Sequence, residues 1–334
     1  MCTIFHLNHD GSNLIGKNQD MIYDGVYIFT NLRGIRKTAL IMPPALPAVW
    51  TSKYGSLTIS QTGKELPSGG MNEVGLVVEQ ATLWMTEYPA ADDRSAINEV
   101  QWIQYMLDTC STVQEVLQAA ANFRIDQSTS KIHYFIADRN GERAIIEFLH
   151  GNMQVFHDSL SIPVLTNSLY QYATEQFERN VRQWPESDDY EQNSMERFTT
   201  VSAHLLQDIH HTDQTDKLDF AFETLKKARR EDTIFTLVYD IEKLEIHAST
   251  KRNQERIVLP LADFSFINDS LPLAADLQTL HTSKVREQFV TYHYDFNLHA
   301  IRSFFNDPIL TSVFQWNSSD EMIAFLARYP DSFE

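Results

Sequence analysis

A cysteine stands at position 2 of this 334-residue chain, directly behind the initiator Met1. Loss of Met1 would put a thiol and an α-amine on one residue. In free form these groups have pKa values of roughly 8.5 and roughly 8. The amine can then serve as the base for its own thiol without a histidine partner, the single-residue version of an activated nucleophile. A lone cysteine is more often a small buried hydrophobe, so a reactive reading needs further polar groups close by. Lys17, Asn18, Gln19 and Asp20 are those groups, provided the chain turns back between them and Cys2.

It has the means to do so. Two apolar runs, ending near His9 and beginning near Asn13, flank Asp10-Gly11 and read as a hairpin. A two-residue turn sets Cys2 opposite Gln19, with Lys17 diagonal to it on the same face. A three-residue loop with a bulge sets it opposite Asn18 and gives it the face of Asp20. Both registers are open, and both gather polar side chains at the free end. Ile4, Phe5, Leu7, Leu14 and Ile15 suit a strand pair buried on both faces.

Composition narrows the class. The chain is 43% hydrophobic, enough for a large core, and its net charge of −18 opposes binding to nucleic acid or anionic lipid. Cys2 and Cys110 are its two cysteines, too few for a disulfide framework or a multi-cysteine zinc cage. The N-terminus has no basic region, and the apolar stretch from Ala39 to Trp50 is short and proline-rich. These features predict a soluble cytoplasmic protein with no membrane segment.

Further along, Ser56 to Gln61 alternates like a half-buried strand, and the glycines of Pro67-Ser68-Gly69-Gly70 predict a turn or a close backbone approach. Helices are expected over 97–109 and from the N-cap Thr112, with Cys110 between them in a structural role. Asn140-Gly141 closes a second hairpin, and residues 240–243 a third. The acidic run 184–193 reads as a surface loop, followed by helices from Ser194 and over 218–228. Strands and helices thus come in blocks, which excludes an alternating parallel sheet and favours a layered α+β architecture. Residues 266–334 read as a C-terminal helical extension to a main domain over 2–265.

Five strings carry a resemblance: Met1-Cys2-Thr3, Gly16-Lys17-Asn18-Gln19-Asp20, Gly70-Met71-Asn72-Glu73-Val74-Gly75-Leu76, Leu165-Thr166-Asn167-Ser168 and Ser194-Met195-Glu196-Arg197-Phe198. In order and spacing they resemble the choloylglycine hydrolases, the bile salt hydrolases and penicillin V acylases, over roughly residues 2–248. The resemblance implies a four-layer αββα N-terminal nucleophile hydrolase sandwich that cleaves a carbon-nitrogen bond in a linear amide, without cofactor or metal, as a homo-oligomer. Residue by residue, it makes Cys2 the nucleophile and Asp20 the carboxylate orienting the new N-terminus. Asn167 becomes an oxyanion or substrate-positioning donor, and Arg197 the cation that steadies the cluster. Two positions depart from the pattern: Lys17 stands where the family usually has arginine, and Thr82 where many members have asparagine.

The residues alone add Glu79, an acid inside the apolar run Gly75 to Leu83, and Tyr23, an aromatic able to line an acyl pocket. With Lys17 and Thr82 they form the expected substrate-binding set for a small-molecule amide. His210-His211 lacks metal-site spacing and reads as surface. Acyl transfer on the same fold, or a non-catalytic binding protein retaining Met1, are the alternative readings.

Overall fold

The register of the first hairpin is settled by its turn. In a computed structural model of the chain, Asp10 and Gly11 have φ of 52° and 77°, both left-handed, as a two-residue type I′ turn requires. Strand β1 (Cys2–His9) therefore pairs with β2 (Ser12–Asp20) so that Cys2 faces Gln19 and Ile4 faces Lys17. Asp20 falls on the opposite face. The structure describes residues 1–127, 129–184, 187–207 and 216–334, together with the helical backbone of 208–210.

Both strands lie inside a six-stranded antiparallel sheet in the order Val164–Leu165, β1, β2, Thr233–Asp240, Glu245–Thr250, Ile257–Pro260. One face packs on the helices Asp189–His210 and Lys217–Lys227, the other on a second sheet. That position between two layers explains why Ile4, Phe5 and Ile15 are all fully buried. Each such side chain contributes about 1.5–3 kcal/mol. The second sheet has nine antiparallel strands, with Val77–Thr82, Gly69–Asn72 and Ser56–Ser60 near its middle. Helices Glu99–Thr109 and Val113–Ala120 cover its outer face, which gives the layer order αββα. The expected cap holds: Thr112 accepts the Glu115 N–H at 3.2 Å.

Three local expectations need correction. Gly69–Asn72 is a strand, and the turn comes after it. The glycines there serve close approach, since a Cβ on Gly69 would lie 2.2 Å from Glu79 Oε2. The helix expected from Ser194 begins at Asp189, inside the run read as loop, because Asp188 Oδ1 accepts the Glu191 N–H at 2.8 Å and caps it. Pro185 and Glu186 of that run, and the His210-His211 pair, lie outside the described side chains. The stretch 266–334 holds the helices Tyr294–Phe305, Pro308–Phe314 and Asp320–Arg328, but it also contributes Leu273–Asp276, which pairs with Tyr27–Asn31 in the nine-stranded sheet. Among the described residues no helix is long and apolar enough to cross a membrane.

Candidate active site

Cys2 begins β1 and is almost fully buried. Its backbone N–H donates to Asn167 Oδ1 at 2.9 Å, and its thiol donates to Gln19 Oε1 at 3.3 Å. Asn167 reaches this point because it follows the edge strand Val164–Leu165, whose Leu165 pairs with Ile4 of β1. Ser194 then fixes the strand end. Its Oγ accepts the Asn167 N–H at 2.8 Å and the Ser168 hydroxyl at 2.7 Å, and donates to Thr166 Oγ1 at 3.0 Å.

Arg197 lies one helical turn beyond Ser194, on the face turned toward β1. One guanidinium nitrogen donates to the Cys2 carbonyl and, at 2.8 Å, to Thr3 Oγ1; the other donates to Asn167 Oδ1 at 2.8 Å. Its Nε is held by Asn193 Oδ1 at 2.9 Å. Burial lowers the Arg197 pKa, and Asp20 and Cys2 oppose that shift. Asn167 Oδ1 thus collects two donors, while its Nδ2 spends one hydrogen on the Thr82 carbonyl at 2.9 Å and keeps the other.

Asp20 ends β2, and its backbone brackets Met1, taking the Met1 amine on its carbonyl at 2.6 Å and giving its N–H to the Met1 carbonyl at 2.8 Å. Thr233 donates to Asp20 Oδ1 at 2.6 Å, whereas the buried Oδ2 has no hydrogen-bond partner among the described residues and lies 4.0 Å from Arg230 Nε. Burial raises the Asp20 pKa, with Arg197 and the Thr233 hydroxyl acting against it. Cys2, Asn167, Arg197 and Asp20, four residues far apart in the chain, therefore share one end of the six-stranded sheet.

The four residues expected to bind substrate are placed differently. Lys17 points between the sheets, where its ammonium contacts Glu79 Oε2, the Gln80 carbonyl at 3.2 Å and the Ser68 carbonyl at 3.4 Å. Glu79 takes the Tyr239 hydroxyl on its other oxygen, and both members of the ion pair are buried. Burial raises the Glu79 pKa, and Lys17 pulls it back. Thr82 meets the cluster through its carbonyl. Tyr23 packs edge-on to Phe304 at 5.4 Å and lines a 760 Å³ groove with Asp24, Arg252, His299 and Arg302.

Two participants were not singled out from the sequence. Ser194 lies in one of the motif strings but reads there as an ordinary helix residue. Tyr190, two turns before Arg197, sets its ring 6.3 Å from Trp84; its phenol is pushed up by burial first and by Cys2 second. A helix starting at Asp189 was the signal that would have put it on the Arg197 face. Cys110 stays apart: burial pushes its thiol up to about 11. The trio Asp240, Glu245 and His247 brings ligand-type atoms within 4.8 Å of one another. It belongs to the far end of the sheet, where Asp240 pairs with Leu14 and holds Lys243 at 2.9 Å.

Two facing antiparallel sheets between helical layers, with a cysteine opening an inner strand beside the sheet edge, define an N-terminal nucleophile hydrolase fold. Solved structures agree. The penicillin V acylase of Agrobacterium tumefaciens superposes with a TM-score of 0.73 over 88% of this chain and 98% of that one, at 17% identity. A mutant of the conjugated bile acid hydrolase of Clostridium perfringens gives 0.67 over 81% and 95%, at 19% identity. The profile of the linear amide C-N hydrolases, choloylglycine hydrolase family, matches residues 2–255, and the chain belongs to that family. A penicillin V acylase from Pectobacterium atrosepticum is 32% identical over 135 residues, a match spanning 36% of this chain and 36% of that enzyme.

Proposed function

We propose that the protein hydrolyses a linear amide through a thioester on Cys2 after Met1 is removed. The observation that carries this reading is the hold on the Cys2 nitrogen. It donates to an Asn167 oxygen that Arg197 also grips, so the nitrogen that becomes the α-amine keeps a fixed place beside its own sulfur. The Asp20 oxygen left without a hydrogen bond, with Arg230 Nε 4.0 Å away, and the Met1 contacts of the Asp20 backbone support a carboxylate that receives the new ammonium.

In this mechanism the thiol proton passes to the α-amine as Sγ bonds to the carbonyl carbon. The second Asn167 Nδ2 hydrogen is the donor available to the developing oxyanion, and such a donor is worth about 3 kcal/mol. The ammonium returns its proton to the leaving nitrogen, the carbon-nitrogen bond breaks, and a thioester remains. Water then gives a proton to the amine as its oxygen bonds to the thioester carbonyl carbon, the carbon-sulfur bond breaks, the ammonium returns that proton to Sγ, and the acid leaves.

Exposed apolar side chains next to the cluster in sequence support an apolar acyl group. Ile22, Trp84 and Met85 follow closely on Asp20 and Thr82 in sequence and are each more than half exposed. Penicillin V and conjugated bile acids, the substrates named for its relatives, head the panel to be assayed. The test is release of free amine by the purified full-length protein and by Cys2→Ala. Turnover of at least one amide by the first, lost in the second, is expected; equal turnover by both removes the proposal.

A further inference from the structure

The side chain that takes the Cys2 thiol hydrogen is one the mechanism has not used. Gln19 is directly across the strand pair from Cys2, and its Oε1 accepts the thiol hydrogen at 3.3 Å. Its Nε2 donates to Gln61 Oε1 at 3.5 Å, and Gln61 Nε2 donates to the Tyr23 carbonyl at 3.3 Å. Gln19 and Gln61 are each only 6% exposed. Buried amides cost free energy unless bonded, and here the bonds run in one line from the sulfur to the loop after β2. Apolar side chains of the same volume would fill this space without that cost.

We propose that Gln19, held in place by Gln61, is the positioning residue of the Cys2 thiol, selecting the side-chain rotamer from which sulfur attacks. The proposal rests on Cys2 being the nucleophile. The strand register places the Gln19 backbone, and two serial amide bonds place its side chain. The thiol sits on the β1–β2 face that looks toward the second sheet, while the Asn167–Arg197 grip acts on the Cys2 backbone. The sulfur and the nitrogen of one residue are thereby held by two separate sets of partners. Gln61, on the segment after the strand Ser56–Ser60, ties the relay to the nine-stranded sheet and to the Tyr23 loop at once.

The test uses the full-length, Met1-processed protein as wild type, Gln19→Met, Gln61→Met, the double variant and Cys2→Ala. It measures kcat and KM on the amide turned over fastest, iodoacetamide labelling of Cys2 against pH, and Tm. A misplaced nucleophile costs up to about a hundredfold in rate. Gln19→Met is expected to lower kcat roughly tenfold to a hundredfold with KM within about twofold. It should also alter the pH profile of labelling, and Gln61→Met should do the same more weakly. Because Gln61 acts through Gln19, the double variant should be no slower than Gln19→Met. Unchanged kcat and labelling, a rise in KM alone, or additive losses would each overturn the relay. Should Gln19→Met not fold, Gln61→Met decides by the same readouts. Full activity in Cys2→Ala would instead remove the nucleophile itself, an outcome visible apart from the Gln19 results.

Discussion

Burial holds the Asp20 carboxyl above the ordinary carboxylate range, with Arg197 and Thr233 opposing the shift. The folded protein thus binds that proton more tightly than the unfolded chain does, and ionising Asp20 as pH rises costs stability. Asp20→Asn keeps an acceptor for Thr233 and removes the charge. Its Tm at neutral pH is expected to equal or exceed that of the wild type, while amide turnover falls at least about tenfold, since the new ammonium loses its anion. Thermal melts and initial rates on one preparation check both halves; a lower Tm with full activity contradicts the assignment. At this scale the sequence was informative wherever chemistry is local. A cysteine behind Met1 and a carboxylate at Asp20 are visible in the string. The demand Lys17 makes on Glu79 is not, because their partnership spans two sheets and 62 positions.

That partnership is the main finding among the elements. Lys17 on β2 and Glu79 on the strand Val77–Thr82 cross the space between the sheets, and Gly69 leaves the room that the Glu79 carboxylate needs. Glu79→Gln strands a buried ammonium, which should cost about 3–5 kcal/mol, whereas Lys17→Met with Glu79→Gln should cost clearly less than the two single changes together. Urea unfolding of the four proteins measures this; additive losses would mean the pair is not coupled. The hairpin itself was readable from Asp10-Gly11 to within two registers. Its turn type decides between them, because both central residues accept positive φ. The strand Gly69–Asn72 and the early start of the Asp189–His210 helix escaped notice for a shared reason: glycines and acids in those runs read as loop signals, and only tertiary partners show them as a close contact and a cap.

For the whole molecule, the order of strand and helix blocks led to the layered architecture, while the edges of its sheets were hidden. Leu273–Asp276 gives no strand signal within the expected helical extension because its four residues, Leu-Ala-Ala-Asp, are too short for a period to show. Removing residues 266–334 would expose Tyr27–Asn31 as a new edge and uncover the Tyr23 cluster. The shortened protein is expected in the insoluble fraction, and a soluble, active 1–265 fragment would show the extension to be separable. Acid sensitivity is a second global property. Burial lowers the His6 pKa to about 4 from an ordinary 6.5, so between those values the unfolded chain binds more protons and stability rises with pH. Tm is expected to climb from pH 4 to 6.5 more steeply in the wild type than in His6→Gln; equal slopes would exclude His6 as a contributor.

Intact mass spectrometry during turnover tests the central claim most directly. With a slowly hydrolysed amide and acid quenching, the account predicts a protein that has lost Met1 and carries one acyl group, mapped to the N-terminal peptide at Cys2. Active protein that keeps Met1, or an acyl group bound at any other residue, would contradict it.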